Sequence, residues 1–191
     1  MLKKSASLIL KLCGWRVQFT DPGYRKYVLI GAPHTSNWDF PMALLGLASI
    51  GIKFNWVAKH TLFWPPLGTI FRSIGGIPVD RSSGAAFLKN MIDLYLERES
   101  LVLAIAPEGT RSKTRYWKTG FYALAERAEV PIVMGFVDYQ RKLIGVGEVL
   151  LPTGDIEHDF SAIQKFYQDK IGKYPELQGA IEIKVRSKKK P

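Results

Sequence analysis

The sequence predicts an α/β layered domain, a mixed and mostly parallel sheet flanked by helices, entered through an amphipathic helix at the N-terminus. Three observations carry this reading. Short apolar runs without alternation recur along the chain, the pattern of strands covered on both faces. Segments with apolar residues at helical spacing lie between them, and strand, helix, strand repetition argues for layered α/β architecture. Finally, 47% of the 191 residues are apolar and 23% charged. That is an ordinary globular composition, in a chain long enough to bury roughly 70% of its unfolded surface without a metal or disulfide staple.

Residues 1–26 form a basic amphipathic segment. Leu2, Ala6, Ile9, Leu10 and Cys13 recur at helical spacing and Trp15 closes the stretch, as in a helix that lies on a bilayer or on its own domain. A signal peptide is disfavoured, because Lys11 interrupts the apolar core and no small-residue cleavage site follows. In the body, residues 27–172, strands are expected at Tyr27 to Ala32, Phe54 to Ala58, Ile77 to Asp80, Leu101 to Ala106 and Ile132 to Tyr139. Helices are expected at Pro41 to Ile50, Leu62 to Ser73, Gly84 to Glu99 and Thr119 to Ala128. The third of these is the clearest, with Phe87, Leu88, Met91, Ile92, Tyr95 and Leu96 on one stripe. Gln140-Arg141-Lys142 is a polar connector into another apolar run, Leu143 to Leu151, so a hairpin makes the sheet mixed. A last amphipathic helix, Ile156 to Ile171, turns Phe160, Ile163, Phe166 and Tyr167 inward, and residues 173–191 form a tail with a basic end. No repeat or linker divides the chain, so 1–191 reads as one domain.

Charge and cysteine usage narrow the setting. The net charge is +10, yet residues 1–26 carry six basic residues against one acid and residues 184–191 carry five against none, leaving 27–183 neutral. A nucleic-acid-binding domain would carry a basic stripe across its body, so no nucleic-acid partner is expected. Basic ends suit an anionic membrane surface, where each Lys or Arg contributes about 1 kcal/mol, or else they are solubilising termini. The longest apolar run, Pro41 to Ile52, falls short of the ~20 residues needed to span a bilayer. A lone cysteine, Cys13, favours a reducing, cytoplasmic setting.

The chemistry-bearing residues cluster at expected strand ends, where open α/β sheets bind ligands. There is no Gly-x-Ser-x-Gly elbow, Walker loop or dinucleotide glycine fingerprint after a strand. His34, His60 and His158 are scattered without metal-ligand spacing, so no metal site is expected. After the first body strand comes Pro33-His34-Thr35-Ser36-Asn37-Trp38-Asp39. In one continuous helix His34 and Asp39 would point about 140° apart. They can meet if the histidine sits in the turn and Asp39 in the first turn of the next helix, a boundary that Pro41 supports. Asp39 would then orient one imidazole nitrogen and leave the other as a base, a catalytic triad without its serine, whose nucleophile must be a substrate hydroxyl. Pro107-Glu108-Gly109-Thr110-Arg111-Ser112 ends the fourth strand and offers a guanidinium fork. Gly75-Gly76-Ile77-Pro78-Val79-Asp80-Arg81 delivers a second arginine, and with Lys59 the two can form an anion site.

Taken in order, His-x-x-x-x-Asp, Gly-Gly-Ile-Pro-Val-Asp-Arg, Pro-Glu-Gly-Thr-Arg-Ser and Val130-Pro131-Ile132 resemble the four sequence blocks of the glycerolipid acyltransferase (PlsC-like) family, over about Tyr27 to Val137. Pro33 departs from the asparagine that usually precedes the motif histidine. The resemblance implies transfer of a fatty acyl group from an acyl-CoA or acyl-carrier-protein thioester to a hydroxyl of a lysophospholipid. The favoured acceptor is 1-acyl-sn-glycerol-3-phosphate, giving phosphatidic acid. By motif position His34 would be the general base and Asp39 its orienter. Glu108, Gly109, Thr110 and Arg111 would form the acceptor site, and Arg81 a second phosphate contact. No cofactor beyond the acyl donor is implied.

The expected step is direct attack without an acyl-enzyme, a backbone N–H near Gly75 or Gly76 binding the oxyanion. Phe63-Trp64-Pro65-Pro66 and Tyr116-Trp117 read either as contacts with a lipid interface or as closure of the core beside the site. The expected location is cytoplasmic, peripheral on the inner face of the cell membrane. Two rival readings are a thioesterase or esterase that uses His34 on water, and a non-enzymatic module for anionic lipid.

Overall fold

A computed structural model describes residues 2–80 and 84–184. The elements run α1 (Leu2–Leu12), β1 (Arg16–Phe19), β2 (Lys26–Ala32), α2 (Asp39–Ile50), β3 (Asn55–Lys59), α3 (Leu67–Ser73), β4 (Gly76–Val79), α4 (Gly84–Glu97), β5 (Leu101–Ile105), α5 (Gly120–Arg127), β6 (Ile132–Asp138), β7 (Leu143–Leu150) and α6 (Ile156–Tyr167). The strands form one sheet in the order β1-β7-β6-β2-β5-β3-β4. β2 to β6 run parallel, whereas the hairpin partner β7 is antiparallel to β6 and β1 follows β7. This is the mixed, mostly parallel α/β sheet that the sequence predicts.

The continuous apolar strands exist because both faces are covered. Tyr27, Leu29, Val102, Val133 and Val146 pack with Leu47 of α2 on one side. Val28, Ile30, Leu103, Ile132 and Met134 pack on the other with Met91 and Tyr95 of α4, Leu124 of α5 and Ile163 of α6. Alternate residues of one strand thus serve two separate cores.

Four local expectations are corrected. β1 escaped notice because all four of its residues are exposed. It lies close enough to β7 that a Cβ on Gly145 would strike the Gln18 carbonyl, so only glycine fits there. The helix expected from Leu62 starts only at Leu67, because Pro65 and Pro66 lack the N–H groups that a helix interior needs. The last helix stops at Tyr167 rather than Ile171, and Leu96 of α4 is exposed rather than on the buried stripe. In α1 only Ala6 and Leu10 are buried, with α1 lying against α2. Leu2, Leu8, Ile9 and Leu12 are exposed, as is Cys13. Among the described residues no helix is long and apolar enough to cross a membrane. The stretch expected as a tail from residue 173 instead packs on the body as far as Lys184, the Tyr174 N–H donating to Thr35 Oγ1 and Ile183 bridging to Trp117, and residues 185–191 lie outside the described residues.

Candidate active site

The carboxyl ends of the parallel strands form one rim, and β2 delivers the first loop to it. Pro33 cannot extend the ladder, and the chain turns through Thr35 and Ser36 into α2, whose first residue is Asp39. That carboxylate ties the turn to itself. Oδ2 accepts the backbone N–H groups of Thr35 and Ser36, both at 2.9 Å, and lies 3.0 Å from His34 Nδ1. Oδ1 accepts the hydroxyl of Tyr139 at 2.9 Å. With ionised Asp39 able only to accept, Nδ1 must carry the proton, so Nε2 is the basic nitrogen. Nε2 has no hydrogen bond among the described residues, and the imidazole is 25% exposed where a ligand can reach it.

A second carboxylate supports the turn from below. Glu108, in the loop after β5, is buried, and its Oε2 accepts the His34 N–H at 2.7 Å. Burial pushes its pKa up to about 7, the His34 N–H acting in the opposite direction. Burial, together with the neighbouring Asp39 carboxylate, also holds the Tyr139 hydroxyl well above its ordinary range, so it stays a donor.

Beside His34 opens a cavity of about 850 Å³, within the range of small-molecule and cofactor sites. Its walls are mostly apolar, including Leu29, Phe40, Leu47, Trp56 and Phe87, with Thr110, Arg111 and Lys118 as polar members. Gly31 is part of the wall, and a Cβ built there would meet nothing within 4 Å. Arg111 reaches over the His34 loop to donate to the side-chain oxygen of Asn37. Lys118 lies across Gly109, whose φ of +69° an L side chain rarely adopts.

The predicted residues therefore divide. His34, Asp39, Gly109, Thr110 and Arg111 meet at the cavity. Glu108 sits under the histidine rather than on the cavity wall. Lys59 is exposed at the end of β3 and does not line the cavity, and Arg81 lies outside the described residues. Gly75 and Gly76 stand at the start of β4, the opposite end of the strand from the rim. The Gly75 N–H already donates to the Arg72 carbonyl, and neither glycine lines the cavity. The aromatics divide too: Trp117 is buried against Phe160 and Tyr167, and Phe63 joins Trp56 and Phe71. Trp64 is exposed. Sequence reasoning missed Tyr139 and gave Lys118 no site role. Only its place at the end of an expected strand hinted at Tyr139, and Lys118 stood just before an expected helix.

The acyltransferase family model matches residues 16–134. The chain is 30% identical over 116 residues to the 1-acyl-sn-glycerol-3-phosphate acyltransferases of Limnanthes douglasii and Limnanthes alba; the match covers 57% of this chain and 40% of each relative. The crystal structure of the 1-acyl-sn-glycerophosphate acyltransferase PlsC from Thermotoga maritima superposes with a TM-score of 0.57 at 18% identity, covering 88% of this chain and 74% of that one. At that identity the superposition speaks for the fold alone. With the family model spanning more than half of the sequence, this chain belongs to the acyltransferase family.

Proposed function

We propose that the protein is a glycerolipid O-acyltransferase that moves a fatty acyl group from an acyl-CoA or acyl-carrier-protein thioester to 1-acyl-sn-glycerol-3-phosphate. The observation that carries this reading is the His34–Asp39 pair, 3.0 Å apart at the edge of the 850 Å³ cavity. No side-chain nucleophile is needed. Nε2 of His34 takes the proton of the acceptor hydroxyl as that oxygen adds to the thioester carbonyl. Collapse of the tetrahedral adduct breaks the carbon–sulfur bond, and the thiolate leaves with the proton returned from His34. The acyl chain lies in the apolar cavity, while Arg111 and Lys118 attract substrate phosphate. The exposed Leu2, Leu8, Ile9 and Leu12 of α1, with Lys3, Lys4 and Lys11 on the same helix, rest on the anionic inner face of the cell membrane, where the acceptor resides.

Purified protein mixed with acyl-CoA should release thiol only when the lysophospholipid is added. Acceptor-independent release would make it a thioesterase, and no release would leave a lipid-binding module. His34→Ala should abolish transfer while lipid binding survives, and Asp39→Asn should impair it strongly by leaving the imidazole in the wrong tautomer. Near-normal transfer by His34→Ala would overturn the mechanism.

A further inference from the structure

Tyr139 follows β6, one hundred residues from the carboxylate it serves, and lies outside the segment 16–134 that matches the family model. Three features fix it. Its backbone N–H donates to the Ile171 carbonyl at 2.9 Å. The buried Asp138 before it gathers the backbone N–H groups of Gln140 and Arg141, which holds the turn rigid. Its ring meets Trp15 edge to face, with centroids 5.2 Å apart and planes 89° apart. Trp15 arrives there because Arg16, beginning β1, is in register with Leu143 at the start of β7, so both lie at the rim. Among the described residues the hydroxyl donates to Asp39 Oδ1.

Asp39 has a rotational choice that matters. Its Oδ2 faces two backbone N–H groups and the imidazole together, and losing the donor on Oδ1 removes one of the four bonds that fix the carboxyl plane, so that it turns more easily and trades the imidazole contact for water. We infer that Tyr139 is a positioning residue for the Asp39–His34 pair, locking the carboxylate so that Nδ1 keeps its proton and Nε2 faces the substrate, with Trp15 as its backstop. The inference rests on the proposed reaction for its catalytic consequence, but the tautomer it predicts is a property of the free protein. It also makes the residue that closes the N-terminal segment part of the support of the site.

The test is Tyr139→Phe in the full chain, which keeps the ring against Trp15 and removes only the hydroxyl. Expected is a fall in kcat of about tenfold, the scale of one hydrogen bond to a charged group, with KM for both substrates unchanged and the melting temperature lowered by only a few degrees. In 15N spectra the neutral His34 ring, assigned by its loss in His34→Ala, should be the Nδ1–H tautomer in wild type and a mixture in Tyr139→Phe. Trp15→Leu should move both readouts the same way in wild type and neither in the Tyr139→Phe background. An unchanged tautomer, an unchanged kcat, or a loss confined to KM would overturn the inference. If the tautomer shifts as expected while His34→Ala still transfers acyl groups, the positioning stands and the proposed reaction falls.

Discussion

Asp39 receives four hydrogen bonds, one from a side chain a hundred residues away, and through them it turns a loop into an oriented imidazole. Glu108 does comparable work on the other side of His34 and leaves a thermodynamic signature. Its folded pKa of about 7 lies above the ordinary carboxylate value, so between roughly pH 4.5 and 7 the native state holds a proton that the unfolded chain has lost. The contribution to stability is therefore full below the unfolded pKa and is lost as pH rises through the folded one. Wild-type protein should lose on the order of 2 to 3 kcal/mol between pH 4.5 and 8 that Glu108→Gln does not lose. Parallel denaturant titrations of the two proteins check it, and equal pH slopes would show that the carboxyl is not held protonated.

At the scale of elements, β2, β5 and β6 line the cavity together with α2 and α4. α2 approaches β7 closely enough that a Cβ on Gly46 would lie 2.6 Å from Ile144 Cδ1, so glycine allows the helix to settle there. Gly31 of β2 is the reverse case, with open space where its side chain would be. Valine is at home in a strand, so Gly31→Val should fold normally and occupy cavity volume. If the acyl chain lies there, kcat/KM should fall by about fourfold for each methylene displaced, from about 0.8 kcal/mol per buried CH₂. The loss should be large for palmitoyl donors and small for hexanoyl ones. Equal losses for both donors would place the acyl chain elsewhere.

For the whole molecule, charge is segregated to the two ends while the body is neutral. One end is attached to an apolar surface, the exposed leucines of α1. Replacing Lys3, Lys4, Lys11 and the basic residues from Lys184 to Lys190 with glutamine should weaken binding to anionic vesicles at low salt. The difference from wild type should vanish as the Debye length shortens from ~10 Å at 0.1 M to ~3 Å at 1 M. Transfer to a membrane-embedded acceptor should slow, and transfer to a short-chain soluble acceptor should not. Vesicle sedimentation across a salt series checks this, and unchanged binding would make the ends solubilising tails.

The sequence by itself determined the α/β class, six of the seven strands of the described sheet and the condition under which His34 meets Asp39. Apolar periodicity records which faces are buried, and a proline near a helix start fixes where a turn must end. It determined less where the signal is a contact between distant segments. β1 has no buried face and is held by backbone pairing with β7, which no side-chain pattern encodes. Glu108 reads as a ligand-facing motif residue until burial and the His34 N–H show where its carboxylate points. Gly75 and Gly76 read as backbone candidates for the oxyanion until parallel pairing puts them at the start of β4, away from the rim. Tyr139 reads only as the end of a strand, because its partners Trp15 and Asp39 come together through sheet register. Local periodicity determines what each segment becomes, and strand order and register, which depend on long-range pairing, decide which side chains meet.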